Sequence, residues 1–109
     1  MELNQYQLEA SSTVTDSISG NEVYFALGLV GEAGEVAEKI KKELRDGTLD
    51  IVGLQKELGD VLWYVAQATQ ALGVSFNDVI ETNVKKLEKR YPSGEFDVFL
   101  SENRAADDR

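Results

Sequence analysis

Two long stretches of this chain repeat apolar residues at three- and four-residue steps, with only a short polar turn between them. Across 22–45 the repeating positions are Tyr24, Leu27, Val30, Ala33, Val36, Ala37, Ile40 and Leu44. From Asp50 or Ile51 to Leu72 they are Ile51, Leu54, Leu58, Val61, Leu62, Val65, Ala68 and Leu72. That period belongs to an α-helix with one face turned to a core. Asp46-Gly47 stops the first helix, and Gly73 is placed to cap the second in the left-handed conformation. Long helices joined by so short a link pack antiparallel. A weaker helix runs from about Asn4 to Val14, with Leu3, Tyr6, Leu8 and Val14 as core contacts, and merges into a Ser-, Thr- and Gly-rich loop over 11–21. A fourth helix opens with Ser75 as N-cap and Asp78 at its third position, and continues through Phe76, Val79, Ile80, Val84 and Leu87 to about Arg90. The expectation is an all-α bundle of four main helices over residues 1–92. An irregular tail, 93–109, should follow, partly disordered at its end.

Carboxylates sit on the two long helices in matched pairs. Glu32 and Glu35 are three apart in GEAGEVAEK, and Glu57 and Asp60 are three apart in KELGDVLWY. Residues at that spacing share a helix face, where like charges cost roughly 0.2–0.5 kcal/mol per pair on an isolated helix. Each pair lies a similar distance from the connecting turn, so at a rise of about 1.5 Å per residue the pairs reach similar heights and can face one another. Two readings stay open on spacing alone. The four groups turn inward around a divalent cation, or they belong to solvated faces, as Glu38, Glu43, Glu81 and Glu88 do. An ion held this way meets only oxygen, which suits a hard cation, Mg²⁺ or Mn²⁺. Gly28, Gly31 and Gly34 make a strip of small residues on the first long helix, open to tight helix packing, to ligand access, or to both.

Composition removes several chemistries. The 109 residues include no histidine and no cysteine, which excludes disulfides, zinc sites built on those residues, cysteine nucleophiles and histidine bases. Acid–base work falls to carboxylates, lysine, tyrosine or water. A net charge of −9 argues against general affinity for nucleic acid. Basic residues nevertheless cluster at Lys39, Lys41, Lys42 and Arg45, and again at Lys85, Lys86, Lys89 and Arg90. Both groups suit helix C-termini, where cations are favoured. No apolar run approaches the roughly 18–20 residues of a membrane span. MELNQYQLEA lacks the basic and apolar regions of a signal peptide. A cytoplasmic protein without membrane contact is expected.

GEAGEVAEKIKK followed by KELGDVLWYVAQ resembles the MazG-like branch of the all-α nucleoside triphosphate pyrophosphohydrolases, whose motif is E-x-x-E and, after a gap, E-x-x-D. The likeness runs from Asn4-Gln5-Tyr6-Gln7 through NVKKLEKRYPSGEF. It implies hydrolysis of a nucleoside or deoxynucleoside triphosphate to the monophosphate and pyrophosphate, in nucleotide-pool control or house-cleaning. It implies Mg²⁺ on Glu32, Glu35, Glu57 and Asp60, with Glu32 or Glu35 taking the proton of the attacking water. The family's pattern on the fourth helix matches Asn83, Lys86 and Arg90, which would meet phosphate or sugar. For the base, Tyr6, Tyr24, Phe25, Trp63 and Tyr64 are at hand, each also suited to core or interface. Trp63 stands out because it lies three residues from Asp60. The resemblance further implies a homodimer or homotetramer. A phosphoribosyl-ATP pyrophosphohydrolase-like enzyme and a non-catalytic helical interaction module are the alternatives.

Overall fold

The computed structural model describes residues 1–15, 17–18 and 20–104. It holds α1 (Leu3–Ser11), α2 (Glu22–Asp46), α3 (Ile51–Leu72), α4 (Phe76–Arg90) and α5 (Val98–Glu102), with no strand among the described residues. The fold is all-α, as the periodicity predicts. No helix among these residues is long and apolar enough to cross a membrane. The chain forms two compact units, Met1–Phe76 and Asn77–Arg109.

Capping chemistry sets the bounds of the long helices. The Asn21 side chain accepts the Tyr24 amide at 2.9 Å, and the Asp50 side chain accepts that of Gly53 at 2.9 Å. Both satisfy amides that the first helical turn leaves without partners. Gly47 and Gly73 close α2 and α3 at φ 75°, a region that costs glycine nothing. α1 ends earlier than the apolar pattern suggests. The Ser11, Ser12 and Thr13 hydroxyls each donate at 2.7 Å to the Gln7, Glu9 and Ala10 carbonyls, competing with the amides that would extend the helix.

In the first unit α3 packs against both α2 and α1. Three side-by-side placements mark the antiparallel register of α2 and α3. The Tyr64 ring lies against Gly28, where an added methyl would collide with it. Glu32 lies beside Glu57 and Asp60. Nearest the turn, the Lys39 ammonium is 3.6 Å from Asp50. Ala10, Ala66 and Phe76 form the core, with Leu3, Tyr6, Trp63 and Val65 packed on it, and Phe25 is buried on α2.

A polar hub joins these elements. Gln7, 6% exposed, donates at 3.0 Å to the Thr69 hydroxyl and at 3.0 Å to the Val74 carbonyl, and it accepts the Phe76 amide at 3.2 Å. The last two bonds hold the segment that turns out of α3 into α4. Several residues expected in the core are instead on the surface. Leu8, Leu27, Val30, Leu44, Leu58 and Leu72 are all exposed, because only one face of each helix meets another element. On α2 the outward residues Val23, Leu27, Val30, Ile40 and Leu44 make an apolar stripe.

The second unit carries most of α4 and the C-terminal segment. Tyr91 packs on Phe96 with ring centroids 5.5 Å apart. The segment expected to be irregular contains α5, a helix capped by Asp97, whose carboxylate accepts the Leu100 amide at 3.0 Å. The expectation of disorder at the extreme end falls on 105–109, outside the described residues.

Replacing Gln7 by Leu keeps most of the volume but leaves the Val74 carbonyl and Phe76 amide without partners. Each stranded group costs roughly 1–3 kcal/mol, so the variant should lose about 2–4 kcal/mol in urea unfolding. An unchanged midpoint would show that the hub contributes nothing.

Candidate metal and nucleotide site

α2 contributes Glu32 and α3 contributes Glu57 and Asp60 to one acidic group. One carboxylate oxygen from each lies within 4.8 Å of the others. Glu32 and Glu57 are half-buried and Asp60 is exposed. Glu35 is exposed and is not among the three. Coulomb repulsion at such separations is about 1 kcal/mol per pair in bulk water, and several times that in less polar surroundings.

Glu32 registers this crowding. Its pKa is raised above the ordinary glutamate value by desolvation first, then by the charges of Asp60 and Glu57. A hydrogen bond to Glu57, which only the protonated carboxyl can donate, and the charge of Glu35 add to the shift. A cation would reverse each electrostatic part of it. The donor set is oxygen alone, which fits Mg²⁺ or Mn²⁺.

Beside the carboxylates opens a cleft of about 300 Å³ lined by Glu32, Asp60, Trp63 and Tyr64. Its aromatic side is built edge to face. Trp63 and Tyr64 have centroids 4.9 Å apart at 83°, and Trp63 meets buried Phe25 at 6.2 Å and 67°. The Trp63 indole N–H donates to the Thr13 hydroxyl at 2.8 Å. The Tyr64 pKa is raised by desolvation first, then by Tyr24 and the charge of Glu32, with a hydrogen bond to Tyr24 and the charge of Asp60 contributing. From α1, Tyr6 directs its hydroxyl to the Gly59 carbonyl at 3.4 Å. Burial first, and then Asp60, push its pKa up.

The first unit thus brings Glu32, Glu57, Asp60 and Trp63 together and leaves Glu35 exposed one helical turn from Glu32. Asn83, Lys86 and Arg90 belong to the second unit, spaced along one face of α4. Asn83 and Lys86 are exposed; Arg90 is half-buried with its guanidinium 5.8 Å from the Tyr91 ring centroid. Two participants escape sequence reasoning. Thr13 sits in a stretch that reads as loop, and no sequence signal points to it. Gly28 belongs to the glycine strip, but its partnership with Tyr64 is a tertiary contact.

Glu32, Glu57 and Asp60, gathered from two antiparallel helices beside an aromatic cleft, make a candidate site for a hard cation. The MazG nucleotide pyrophosphohydrolase domain matches residues 22–94, and the chain belongs to that family. It is also 44% identical over 106 residues to the Gene 37 protein of Mycobacterium phage L5, covering 86% of this chain and 92% of that protein. No solved structure matches.

The Glu32 shift has a consequence for stability. Because its folded pKa is raised, the stability it contributes is fully present below the ordinary value of about 4.3 and is lost as pH rises through the higher folded value. In EDTA, Glu32→Gln should therefore melt above the unsubstituted protein at neutral pH, the gap closing towards pH 4. Parallel melting curves across that range would contradict the crowding.

Proposed function

We propose that this chain is a Mg²⁺-dependent pyrophosphohydrolase that cleaves nucleoside or deoxynucleoside triphosphates to the monophosphate and pyrophosphate, serving nucleotide-pool control or house-cleaning. The observation that carries this reading is the meeting of Glu32, Glu57 and Asp60 within 4.8 Å beside an aromatic cleft, in a chain of the MazG family. Glu32, Glu57 and Asp60 would hold the ion. Bound there, Mg²⁺ supplies positive charge against the triphosphate oxygens and makes a nearby water easier to deprotonate.

The chain's own residues supply the rest. Glu35, the fourth motif carboxylate, is left outside the group of three, which suits it to accept the proton of the attacking water. Trp63 offers an aromatic surface to the base at the edge of the same cleft. Asn83, Lys86 and Arg90 occupy positions three and four apart on α4, so one helix face can present an amide and two cations to phosphate or sugar. The phosphoribosyl-ATP reading has no observation of its own in its favour. Retention of all four motif carboxylates weighs against a non-catalytic module.

Incubation with a nucleotide panel and Mg²⁺ should yield monophosphate and pyrophosphate. Diphosphate with orthophosphate would refute the cleavage position. Glu35→Gln should lower kcat by about a hundredfold or more. Asp60→Asn should abolish the rise in Tm that Mg²⁺ produces with a non-hydrolysable triphosphate. Activity surviving both changes would remove these residues from the site.

We also infer a homodimer or homotetramer. The stripe of Val23, Leu27, Val30, Ile40 and Leu44 runs along nearly the whole of α2 and is exposed throughout. Exposed apolar surface of this extent is removed from water by association. Leu27→Glu with Val30→Glu should reduce the mass measured by sedimentation to that of one chain. An unsubstituted protein already sedimenting as a monomer would rule the assembly out.

A further inference from the structure

Thr13 lies just past the end of α1 and outside the MazG-matched segment, yet its hydroxyl is engaged twice. It donates to the Ala10 carbonyl at 2.7 Å and accepts the Trp63 indole N–H at 2.8 Å. The first bond fixes where the hydroxyl's lone pairs point, and the second uses that direction. Phe25 and Tyr64 also hold the indole, but edge-to-face ring contacts tolerate a broad range of tilts. A short N–H···O bond is more directional, so Thr13 adds the orienting constraint that the rings lack.

The bond also determines what Trp63 can offer a ligand. An indole has one donor and no acceptor. With that donor committed to Thr13, the ring has no hydrogen bond left for a ligand in the cleft it lines with Glu32 and Asp60, and what it can still offer is its π-surface. A π-surface recognises a planar ring without reading its edge, because every nucleobase presents such a face.

We propose that Thr13 is a positioning residue that sets Trp63 as a stacking ledge for the planar ring of the substrate, and that this ledge takes purines and pyrimidines alike. The inference rests on the pyrophosphohydrolase reading of the same cleft. It assigns discrimination between bases to groups other than Trp63.

Steady-state kinetics with one purine and one pyrimidine triphosphate test the idea on Thr13→Val, Thr13→Ser, Trp63→Phe and the Thr13→Val/Trp63→Phe pair. Thr13→Val should raise KM about fivefold, the value of one ordinary hydrogen bond, by the same factor for both nucleotides and with kcat unchanged. Thr13→Ser, which keeps the hydroxyl, should behave as the unsubstituted protein does. In the Trp63→Phe background, which has no ring N–H, the Thr13→Val effect should vanish. Any part due to the lost Ala10 bond would persist there and so be separated. Trp63 is the chain's only tryptophan, so its fluorescence reports directly. Thr13→Val should shift the emission of the nucleotide-free protein, and Thr13→Ser should not. Should Thr13→Val fail to fold by circular dichroism, Thr13→Ala gives the same comparison. An unchanged KM and emission, a KM rise undiminished in Trp63→Phe, or a rise confined to one base class would each overturn the proposal. If the unsubstituted protein turns over no nucleotide, the pyrophosphohydrolase reading falls and this inference with it. An active protein indifferent to Thr13 sinks this inference alone.

Discussion

The cleft exists because helix packing holds together carboxylates that electrostatics would drive apart. Glu32, Glu57 and Asp60 are kept within 4.8 Å by backbones whose register is decided elsewhere along α2 and α3. The Tyr64 ring seated on Gly28 marks one end of the pairing, and Lys39 with Asp50 marks the other. The pKa of Glu32 is raised by desolvation first and then by the neighbouring charges of Asp60 and Glu57. A divalent cation would remove that penalty, and part of its binding energy would come from doing so.

Much of the first unit's cohesion is polar. Its fully buried apolar residues are few: Ala10, Phe25, Ala66 and Phe76. Gln7 and Thr69 are buried among them and satisfied by one another and by main-chain groups. Such a hub adds less hydrophobic stabilisation than leucine would, but it accepts only one arrangement of α1, α3 and the start of α4. The apolar side chains missing from the interior lie on outward helix faces.

The ends of α2 and α3 were readable because their signals are local, Asp46-Gly47 after the first and Gly73 after the second, while the beginnings followed from where the apolar period sets in. The helical character of α4 was readable for the same reason. The end of α1 was not, since three consecutive hydroxyls turning back on the main chain leave no periodic trace. Nor was α5, a five-residue helix set by a single Asp97 cap. Periodicity also marked Leu27, Val30 and Leu58 as inward, because it identifies an apolar face without saying which chain will cover it. At the site, spacing put the two pairs at matching heights but left open whether they turn inward, and it is the packing that brings Glu32, Glu57 and Asp60 together. Glu35 fits the same pattern yet stands apart, since its place depends on side-chain direction as well as on helix height. Gln7 and Thr13 act through partners 50 to 69 positions away in sequence, and nothing nearby announces such contacts.

The polar hub also bears on what counts as the smallest working piece of this protein. The family match begins at residue 22, whereas Leu3, Tyr6, Gln7 and Ala10 help build the interior and Thr13 grips the indole. A fragment trimmed to the matched segment would strip the cover from Ala66 and Phe76 and strand the main-chain groups leaving α3. The packed first unit therefore reaches upstream of the matched segment, and residues of α1 help build its interior.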